Sequence, residues 1–309
     1  MGGGIFLNVN KLQDIKYDSH AVATGCSLGV DSFSTIEKYT STDCPEGYKL
    51  THLTFFNAGS YGSDNLDKAR ESYNHDLKLV KDYGKEIGLP VVDIESNFAV
   101  LYKNFPWYSE TGFMRNMSVV LSMQKLFKRY MYASTYQVND LHHGWCNYFY
   151  LVSQLLSSPS TNITITYPIQ TRTEKTKVLL NNVLSYKYLN VCWGYLRVNK
   201  GDTAMAKVKE KYINCCRCDK CLRTMLTIDI MGYKDKYRGI FDVEHYEIEK
   251  PKYIGKVIGL KNRDNFYKEI SELIEQEKYP IPQKSWAYVI AYRLGLNTIL
   301  MRLKSLVSK

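Results

Sequence analysis

The chain has 309 residues, of which 45% are apolar, and its formal net charge is +10. This length allows one large domain or two smaller ones with a real core, and no run approaches the roughly 18 apolar residues of a membrane-spanning helix. The positive balance favours anionic partners such as nucleotides, RNA or acidic lipid. Because the Lys and Arg residues are spread along the chain, nucleic acid is a possible partner but not the favoured one.

The N-terminal residues show no charged segment followed by an apolar one, so they do not predict a signal peptide. Met1–Gly4 begins like a myristoylation signal, but Phe6 stands where Ser or Thr is required. We therefore expect a cytoplasmic protein. In that compartment the eight cysteines are expected to be thiols or metal ligands rather than disulfides.

The stretch Ala21–Ser34 predicts an apolar strand (Ala21–Ala23), a tight loop and a helix beginning near Asp31. Small and hydroxyl residues in such a loop place backbone N–H groups at a helix N-terminus, where an anion such as pyrophosphate is favoured. The plainer alternative is an ordinary turn in which Asp31 or Ser32 caps the helix.

Strands and helices are then predicted to alternate. The predicted strands are Ala21–Ala23, Leu50–Asn57, Val91–Glu95, Tyr130–Ser134 and Ile163–Tyr167, and the predicted helices run from near Asp31, over Asp64–Gly88, over Gly112–Lys128 and from Thr171 through Leu184. This alternation predicts an α/β fold, with a parallel sheet sandwiched by helices.

Ligands of parallel sheets bind beyond the carboxyl ends of the strands. The loops that leave those ends are Cys26–Ser32, Asn57–Ser63 and Ser134–Asp140. We expect them to converge on one pocket. Asn57 and its neighbour Phe56 would face an adenine, and Ser134 with Thr135 would face the substrate.

Two basic residues mark the start of a later helix. Thr171 and Glu174 have capping-box spacing, and Arg172 and Lys175 lie one helical turn apart, so both could reach one anion. The alternative is a solvated basic face, which the helix dipole disfavours at this end. Arg115, at the start of its own helix, is a weaker candidate for the same role.

The strongest metal signal is Cys215-x-x-Cys218-x-x-Cys221. Three thiolates at this spacing can surround one Zn²⁺, and we expect Cys192 as the fourth ligand rather than Cys216, because adjacent cysteines rarely point to one ion. An iron–sulfur cluster is the main alternative, and unligated core cysteines are a further one. The paired His142 and His143, beside Trp145 and Cys146, lack further ligands at suitable spacing and are not expected to bind metal.

Residues Ser27–Ser32 resemble the PP-loop, S-G-G-x-D-S, of the ATP pyrophosphatase superfamily at five of six positions. With Thr171–Lys175 and the cysteine segment, this loop makes residues 21–232 resemble 7-cyano-7-deazaguanine synthase and its relatives. Leu28 replaces the first Gly of the loop, and Cys192 lies 23 positions before Cys215, further than in the close family. The chain is therefore identified as a divergent member, with a substrate other than a deazapurine plausible.

The resemblance implies an enzyme that cleaves ATP to AMP and pyrophosphate and adenylates a carboxylate, with Mg²⁺ and a structural Zn²⁺. Ser27, Gly29 and Ser32 would hold the phosphates, Asp31 would place Mg²⁺ or cap the helix, and Arg172, Lys175 and Arg115 would stabilise developing charge. The expected nucleotide-binding residues are Ser27, Leu28, Gly29, Val30, Asp31, Ser32, Phe56, Asn57 and Ser134. The expected metal ligands are Cys192, Cys215, Cys218 and Cys221.

We expect an ATP-binding domain over 1–185, a cysteine segment over 186–235 and a basic, mostly helical extension over 236–309. An apolar stripe from Trp286 to Leu306, with basic and no acidic residues, could pack on its own domain, lie on a membrane or hold a partner. The expected ligands are ATP and a small carboxylate, and a protein partner or homodimer is possible. Two alternatives remain: a tRNA-thiolation enzyme of the same superfamily, using Cys26 or Cys146, and a nucleotide-binding interaction protein without turnover.

Overall fold

The computed structural model describes residues 19–62, 66–97, 100, 108–138 and 148–296. Its internal contacts divide the chain into two compact units. We call the first the sheet unit (Met1–Ser27 and Thr35–Ile169) and the second the cysteine unit (Leu28–Ser34 and Gln170–Lys309). The turn after the first strand therefore belongs, by its contacts, with the C-terminal half of the chain.

The sheet unit is built on five parallel strands. They are β1 (Ala21–Gly25), β2 (His52–Asn57), β3 (Val91–Glu95), β4 (Phe127–Ala133) and β5 (Asn162–Thr166), in the order β3-β2-β1-β4-β5. The helices between them are α1 (Val30–Thr40), α2 (Leu66–Glu86), α3 (Tyr108–Ser122) and α4 (Tyr148–Val152). This confirms the α/β fold with a parallel sheet.

The strand order places a topological switch point at the centre of the sheet. β1 and β4 are neighbours, and the chain continues from β1 to one side and from β4 to the other. Ligands of open parallel sheets bind beyond the carboxyl ends of the strands at such a point. Ser27 follows β1 and Ser134 follows β4, so both lie at this edge.

Two predicted helices are too long. The helix predicted over Gly112–Lys128 ends at Ser122, and β4 begins at Phe127 because that residue is buried while Lys128 is exposed, which is the alternation of a strand. The helix predicted to reach Leu184 ends at Leu179. There the Asn182 side chain accepts a hydrogen bond from the Leu184 N–H at 2.9 Å and closes a turn instead.

The cysteine unit is helical after residue 170. Its helices are α5 (Arg172–Leu179), α6 (Ser185–Tyr188), α7 (Gly194–Asn199), α8 (Thr203–Lys211), α9 (Asp219–Ile230), α10 (Val243–Gly259), α11 (Asn265–Gln276) and α12 (Gln283–Arg293), with a 3₁₀ turn at Lys234–Tyr237. This agrees with the expected helical C-terminal part.

Helix α12 packs closely on α10 within this unit. A Cβ at Gly255 would lie 2.3 Å from the Tyr288 Cβ, and one at Gly259 would lie 2.9 Å from the Tyr292 Cβ. The missing side chains allow the two backbones to approach, and Val289 is buried between them. The described part of the predicted apolar stripe therefore packs, on one face of α12, against a helix of its own unit.

Several sequence predictions fall outside the described residues. They are the paired histidines at 142 and 143 with Trp145 and Cys146, and the part of the apolar stripe beyond residue 296. Among the residues that are described, we find no helix long and apolar enough to cross a membrane.

Candidate functional site

The turn between β1 and α1 has an unusual backbone. Leu28 has a φ of 56°, in the left-handed region that normally favours Gly, and its side chain is only 1% exposed. Helix α1 begins directly afterwards at Val30, and the Phe33 N–H donates to the Gly29 carbonyl at 2.9 Å. The N–H groups of this first turn have no intrahelical acceptor, so the turn has the geometry of an anion site.

Asp31 in the first turn of α1 forms ion pairs with two buried cations. Its Oδ2 lies 3.0 Å from Arg172 Nη2, and its Oδ1 lies 3.5 Å from Lys175 Nζ. The side chains of Arg172 and Lys175 are only 8% and 2% exposed. The two cations predicted to reach one anion thus meet at the Asp31 carboxylate, which lies within the predicted loop.

The start of α5 holds these cations in place. Thr171 and Glu174 form the predicted capping box. In addition, the Glu269 carboxylate accepts hydrogen bonds from the N–H groups of Arg172 and Thr173, at 2.7 and 3.4 Å. Burial lowers the pKa of Lys175, and the Asp31 carboxylate opposes that shift.

Two further cations, which the sequence analysis missed, lie in the first turns of α9. The Arg223 guanidinium stacks on Phe266 with its Cζ 3.9 Å from the ring centroid, and the Arg172 Cζ lies 5.5 Å from the same centroid. Burial first, and then the charge of Arg172, lower the pKa of Lys220 to about 8. Their spacing in the sequence could have indicated them. Lys220 and Arg223 are three residues apart near a helix start, as Arg172 and Lys175 are.

The four cysteines predicted as metal ligands come together in the same unit. The sulfurs of Cys192, Cys215, Cys218 and Cys221 all lie within 4.8 Å of one another, and the Sγ atoms of Cys215 and Cys221 are 4.0 Å apart. Cys216, the competitor, is not one of the four. It is buried, its φ is 50°, and burial raises the pKa of its thiol.

Backbone and side-chain hydrogen bonds favour thiolates in this cluster. The Gly194 N–H donates to Cys192 Sγ at 3.1 Å, and the Arg217 N–H donates to Cys215 Sγ at 3.4 Å. The neighbouring thiols of Cys215, Cys218 and Cys221 also lower the pKa of Cys192. The hydrogen bond with Cys192 raises the pKa of Cys218, and burial raises that of Cys221, so a soft cation would displace protons from these two thiols as it binds.

A single buried side chain explains how Cys192 reaches the other three. Asn214 donates from Nδ2 to the Leu189 carbonyl at 2.7 Å and accepts at Oδ1 from the Val191 N–H at 2.9 Å. It thereby fastens the segment that carries Cys192 beside the one that carries Cys215. The gap of 23 positions in the sequence is closed by these two bonds.

The same segment contacts the turn after β1. The Asn190 N–H, between the two residues held by Asn214, donates to the Leu28 carbonyl at 2.8 Å. Residues 189–191 therefore link the two features. Asn214, next to Cys215, holds the first and the third of them, and the second is hydrogen-bonded to Leu28. The four-cysteine cluster and the candidate anion site therefore form one connected structure.

Ser32 of the turn is buried, and its hydroxyl donates to the Gly29 carbonyl at 3.0 Å. Other predicted site residues lie in the sheet unit. Arg115 is buried, its Nε donates to Thr111 Oγ1 at 2.8 Å, and its Nη1 lies 3.5 Å from the Ala58 carbonyl just after β2. Asn57 is half-buried, and its carbonyl accepts from the N–H of Ser96 at 3.1 Å. Arg115 therefore comes close to the loop that follows Asn57.

Four other predicted residues have different surroundings in that unit. Phe56 is a core residue whose ring stacks near Tyr130, with centroids 6.4 Å apart. Ser134 is buried and donates to the Tyr167 carbonyl at 2.8 Å, which joins the ends of β4 and β5. Ser27 is exposed. Cys26, one of the thiols considered for thiolation, is only 1% exposed.

No known family model matches this chain, and no curated protein matches it. Among solved structures, the chain is similar to the U34-tRNA thiolase NcsA from Methanococcus maripaludis with its [4Fe-4S] cluster. The two are 13% identical with a TM-score of 0.34, over 75% of this chain and 77% of the thiolase. The fold assignment therefore stands on the strand order and the helices of the chain itself.

Proposed function

We propose that this protein is an ATP-dependent enzyme of the PP-loop type, which cleaves ATP to AMP and pyrophosphate and adenylates a carboxylate. The observation that carries the proposal is the turn at Leu28–Ser32, which opens a helix and whose Asp31 is flanked by two buried cations. In this reaction a carboxylate oxygen attacks the α-phosphorus, the α–β bond breaks and pyrophosphate leaves with the electron pair. Catalysis requires positioning and charge stabilisation rather than a protein nucleophile.

The turn and the cations have complementary roles in this proposal. The N–H groups at the start of α1 bind the phosphates that depart, because they point outward and carry the positive end of the helix dipole. Arg172 and Lys175 stabilise the charge that develops on the pyrophosphate. Because both are buried, their interaction with a phosphate is screened less than a surface contact would be.

Asp31 orients these two cations. Its carboxylate lies within 3.5 Å of both, in surroundings that would repel a third cation bound to the same oxygens. In this proposal Mg²⁺ therefore arrives on the phosphates of ATP, where its charge offsets theirs.

We assign the four-cysteine cluster to one structural Zn²⁺. Sulfurs placed about 2.3 Å from a tetrahedral ion are about 3.8 Å apart, and the separation of 4.0 Å between Cys215 and Cys221 is close to that value. Thiolates on separate irons of a cluster stand further apart than ligands of a single ion. A closed site of four sulfurs leaves no position for water and supplies no reaction step.

The test is nucleotide binding by matched variants of α5. We expect Arg172→Gln and Lys175→Gln to weaken ATP binding at least tenfold, while Lys177→Gln, an exposed lysine of the same helix, leaves it unchanged. Isothermal titration measures the affinities. If all three variants bound ATP as tightly as the wild-type protein, the phosphate site would be refuted.

Turnover separates an enzyme from a binding protein. Pyrophosphate release is measured with ATP, Mg²⁺ and a panel of carboxylic acids, with and without RNA. Release that depends on an acid supports adenylation. Release that depends on RNA instead favours the thiolation alternative, and tight binding without release favours the interaction protein.

A further inference from the structure

Helix α9 presents two cations that the proposed phosphate site does not use. Arg223 is 7% exposed and Lys220 is half-buried, and their separation of three residues places them on one face of the helix. Among the described residues, neither side chain forms an ion pair with a carboxylate. Both also lie at the N-terminal end of α9, where the helix dipole disfavours positive charge.

The carboxylates near them already have partners. Asp31 pairs with the two cations of α5, and Asp219 pairs with Lys256 at 2.6 Å. Glu269 accepts the hydrogen bonds of the α5 N-terminus. Asp31 and Cys218 attract Lys220, and Asp219 attracts Arg223, so these groups offset part of the positive charge. An anion held directly between the two side chains would offset more of it.

Phe266 and the cysteine cluster fix where that anion would bind. The Arg223 Cζ lies 3.9 Å from the centroid of the Phe266 ring, a cation–π contact that restrains its guanidinium. Lys220 lies between two metal ligands in the sequence, Cys218 and Cys221, and its Nζ lies 4.6 Å from the centroid of the Trp193 ring. The pair is therefore held in place before any ligand arrives, as a specific binding site requires.

We infer that Lys220 and Arg223 bind the carboxylate of the acid that is adenylated, an inference that rests on the proposed function. Adenylation must bring a carboxylate next to the phosphates of ATP, and these anions repel each other. A separate pair of cations offsets that repulsion. The planar fork of Arg223 matches a carboxylate with two hydrogen bonds, and the ammonium of Lys220 adds a point charge.

The first test compares variants of α9 and α5 in nucleotide binding. We expect Arg223→Gln and Lys220→Gln to change the affinity for α,β-methylene-ATP less than threefold, whereas Arg172→Gln weakens it at least tenfold. Lys207→Gln, an exposed lysine of α8, serves as the control. A tenfold loss in the α9 variants would assign the pair to the nucleotide and overturn the inference.

The second test uses bromide as a probe for a monovalent anion. Crystals of the metal-loaded wild-type protein with α,β-methylene-ATP are soaked in bromide, and anomalous scattering locates the ion. We expect bromide between Lys220 and Arg223 while the phosphates occupy the turn after β1. A phosphate between the two side chains, or no bromide there, would overturn the inference. Because this test uses the wild-type protein, it does not depend on whether a variant folds.

The two tests separate this inference from the function on which it rests. A wild-type protein that does not bind α,β-methylene-ATP refutes the proposed function whatever bromide shows. Nucleotide bound at the turn with no bromide at α9 refutes only the inference. The zinc content of each variant is measured first, because Cys221 lies in α9 and Cys218 is its N-cap residue.

Discussion

Leu28 combines two properties that normally exclude each other. Its left-handed backbone favours Gly, which the PP-loop pattern has at this position, yet its side chain is buried. The strained backbone costs about 1 kcal/mol for a residue with a Cβ, while burial of a leucine side chain contributes about 3 kcal/mol. Packing therefore outweighs strain, which explains how the turn keeps its shape without the glycine.

Replacing Leu28 separates these two contributions. Both Leu28→Ala and Leu28→Gly lose the buried side chain, but only the glycine relieves the left-handed strain. We expect Leu28→Gly to be more stable than Leu28→Ala by about 1 kcal/mol, as measured by chemical denaturation.

A buried leucine in ordinary strand geometry provides the control. At Leu53 in β2, which is fully buried, we expect the opposite order, with Gly less stable than Ala by about 1 kcal/mol. The same order at both positions would mean that Leu28 does not carry backbone strain.

At the scale of elements, the segment Leu189–Cys192 connects the four-cysteine cluster with the turn that opens α1. Asn214 holds it on one side, and the Leu28 carbonyl accepts from it on the other. Ligand loops of metal sites depend on such supporting hydrogen bonds, which orient the ligands. We therefore expect the cluster to influence the turn, even though the proposed reaction gives it no chemical step.

The variant Asn214→Leu tests this connection. It removes both bonds to the segment, so we expect zinc affinity to fall about 10- to 100-fold. ATP binding should weaken in parallel, because the Leu28 carbonyl loses a fixed partner. Zinc competition with a chelating dye and titration with ATP measure the two effects.

Tyr237→Phe is the matched control for a buried hydrogen bond in the same unit. It removes the 2.7 Å bond between the Tyr237 and Ser185 hydroxyls and leaves both side-chain bonds of Asn214 in place. We expect a loss of stability of about 1 kcal/mol with zinc affinity unchanged. If Asn214→Leu kept full zinc affinity, the segment would not depend on that side chain.

At the scale of the whole molecule, a half-buried carboxylate ties α9 to α10 and to the segment that follows α11. Asp229 of α9 accepts hydrogen bonds from the hydroxyls of Tyr246 and Tyr279 at 2.8 and 2.7 Å, and it pairs with Lys250 at 3.3 Å. Burial pushes the pKa of Asp229 up. The hydrogen bonds from Tyr279 and Tyr246 push it further down, so the net pKa is below its ordinary value.

This shift makes the stability of the unit depend on acid pH. Because the folded pKa of Asp229 is depressed, its contribution is complete above the unfolded pKa of about 4 and is lost as the pH falls through the folded value. We expect Asp229→Asn to destabilise the protein by about 3 kcal/mol at pH 7, and the difference from wild type to shrink as the pH falls below 4. Urea denaturation at a series of pH values measures this.

Asp235→Asn is the control for a surface acid. Asp235 is exposed and pairs with Arg238 one turn away, so its removal should change stability by less than about 0.5 kcal/mol. A difference for Asp229→Asn that stayed constant from pH 7 to pH 3 would show that its effect is not linked to the carboxylate charge.

The sequence by itself determined the local features of this protein. Apolar strands alternating with helices predicted the parallel sheet, the spacing of Thr171 and Glu174 predicted the capping box, and Cys215-x-x-Cys218-x-x-Cys221 predicted the sulfur cluster. Each of these depends on residues a few positions apart, whose geometry the helix or strand period sets.

Only the tertiary structure decided which distant groups meet. It placed Asp31 between Arg172 and Lys175, brought Lys220 and Arg223 into the same region, and put Leu28 in a left-handed conformation that its own residue type disfavours. These outcomes depend on packing and on hydrogen bonds, such as those of Asn214, between segments far apart in the chain. The free energy of such contacts exceeds the conformational preference of a single residue. The spacing of residues along the chain therefore does not predict them.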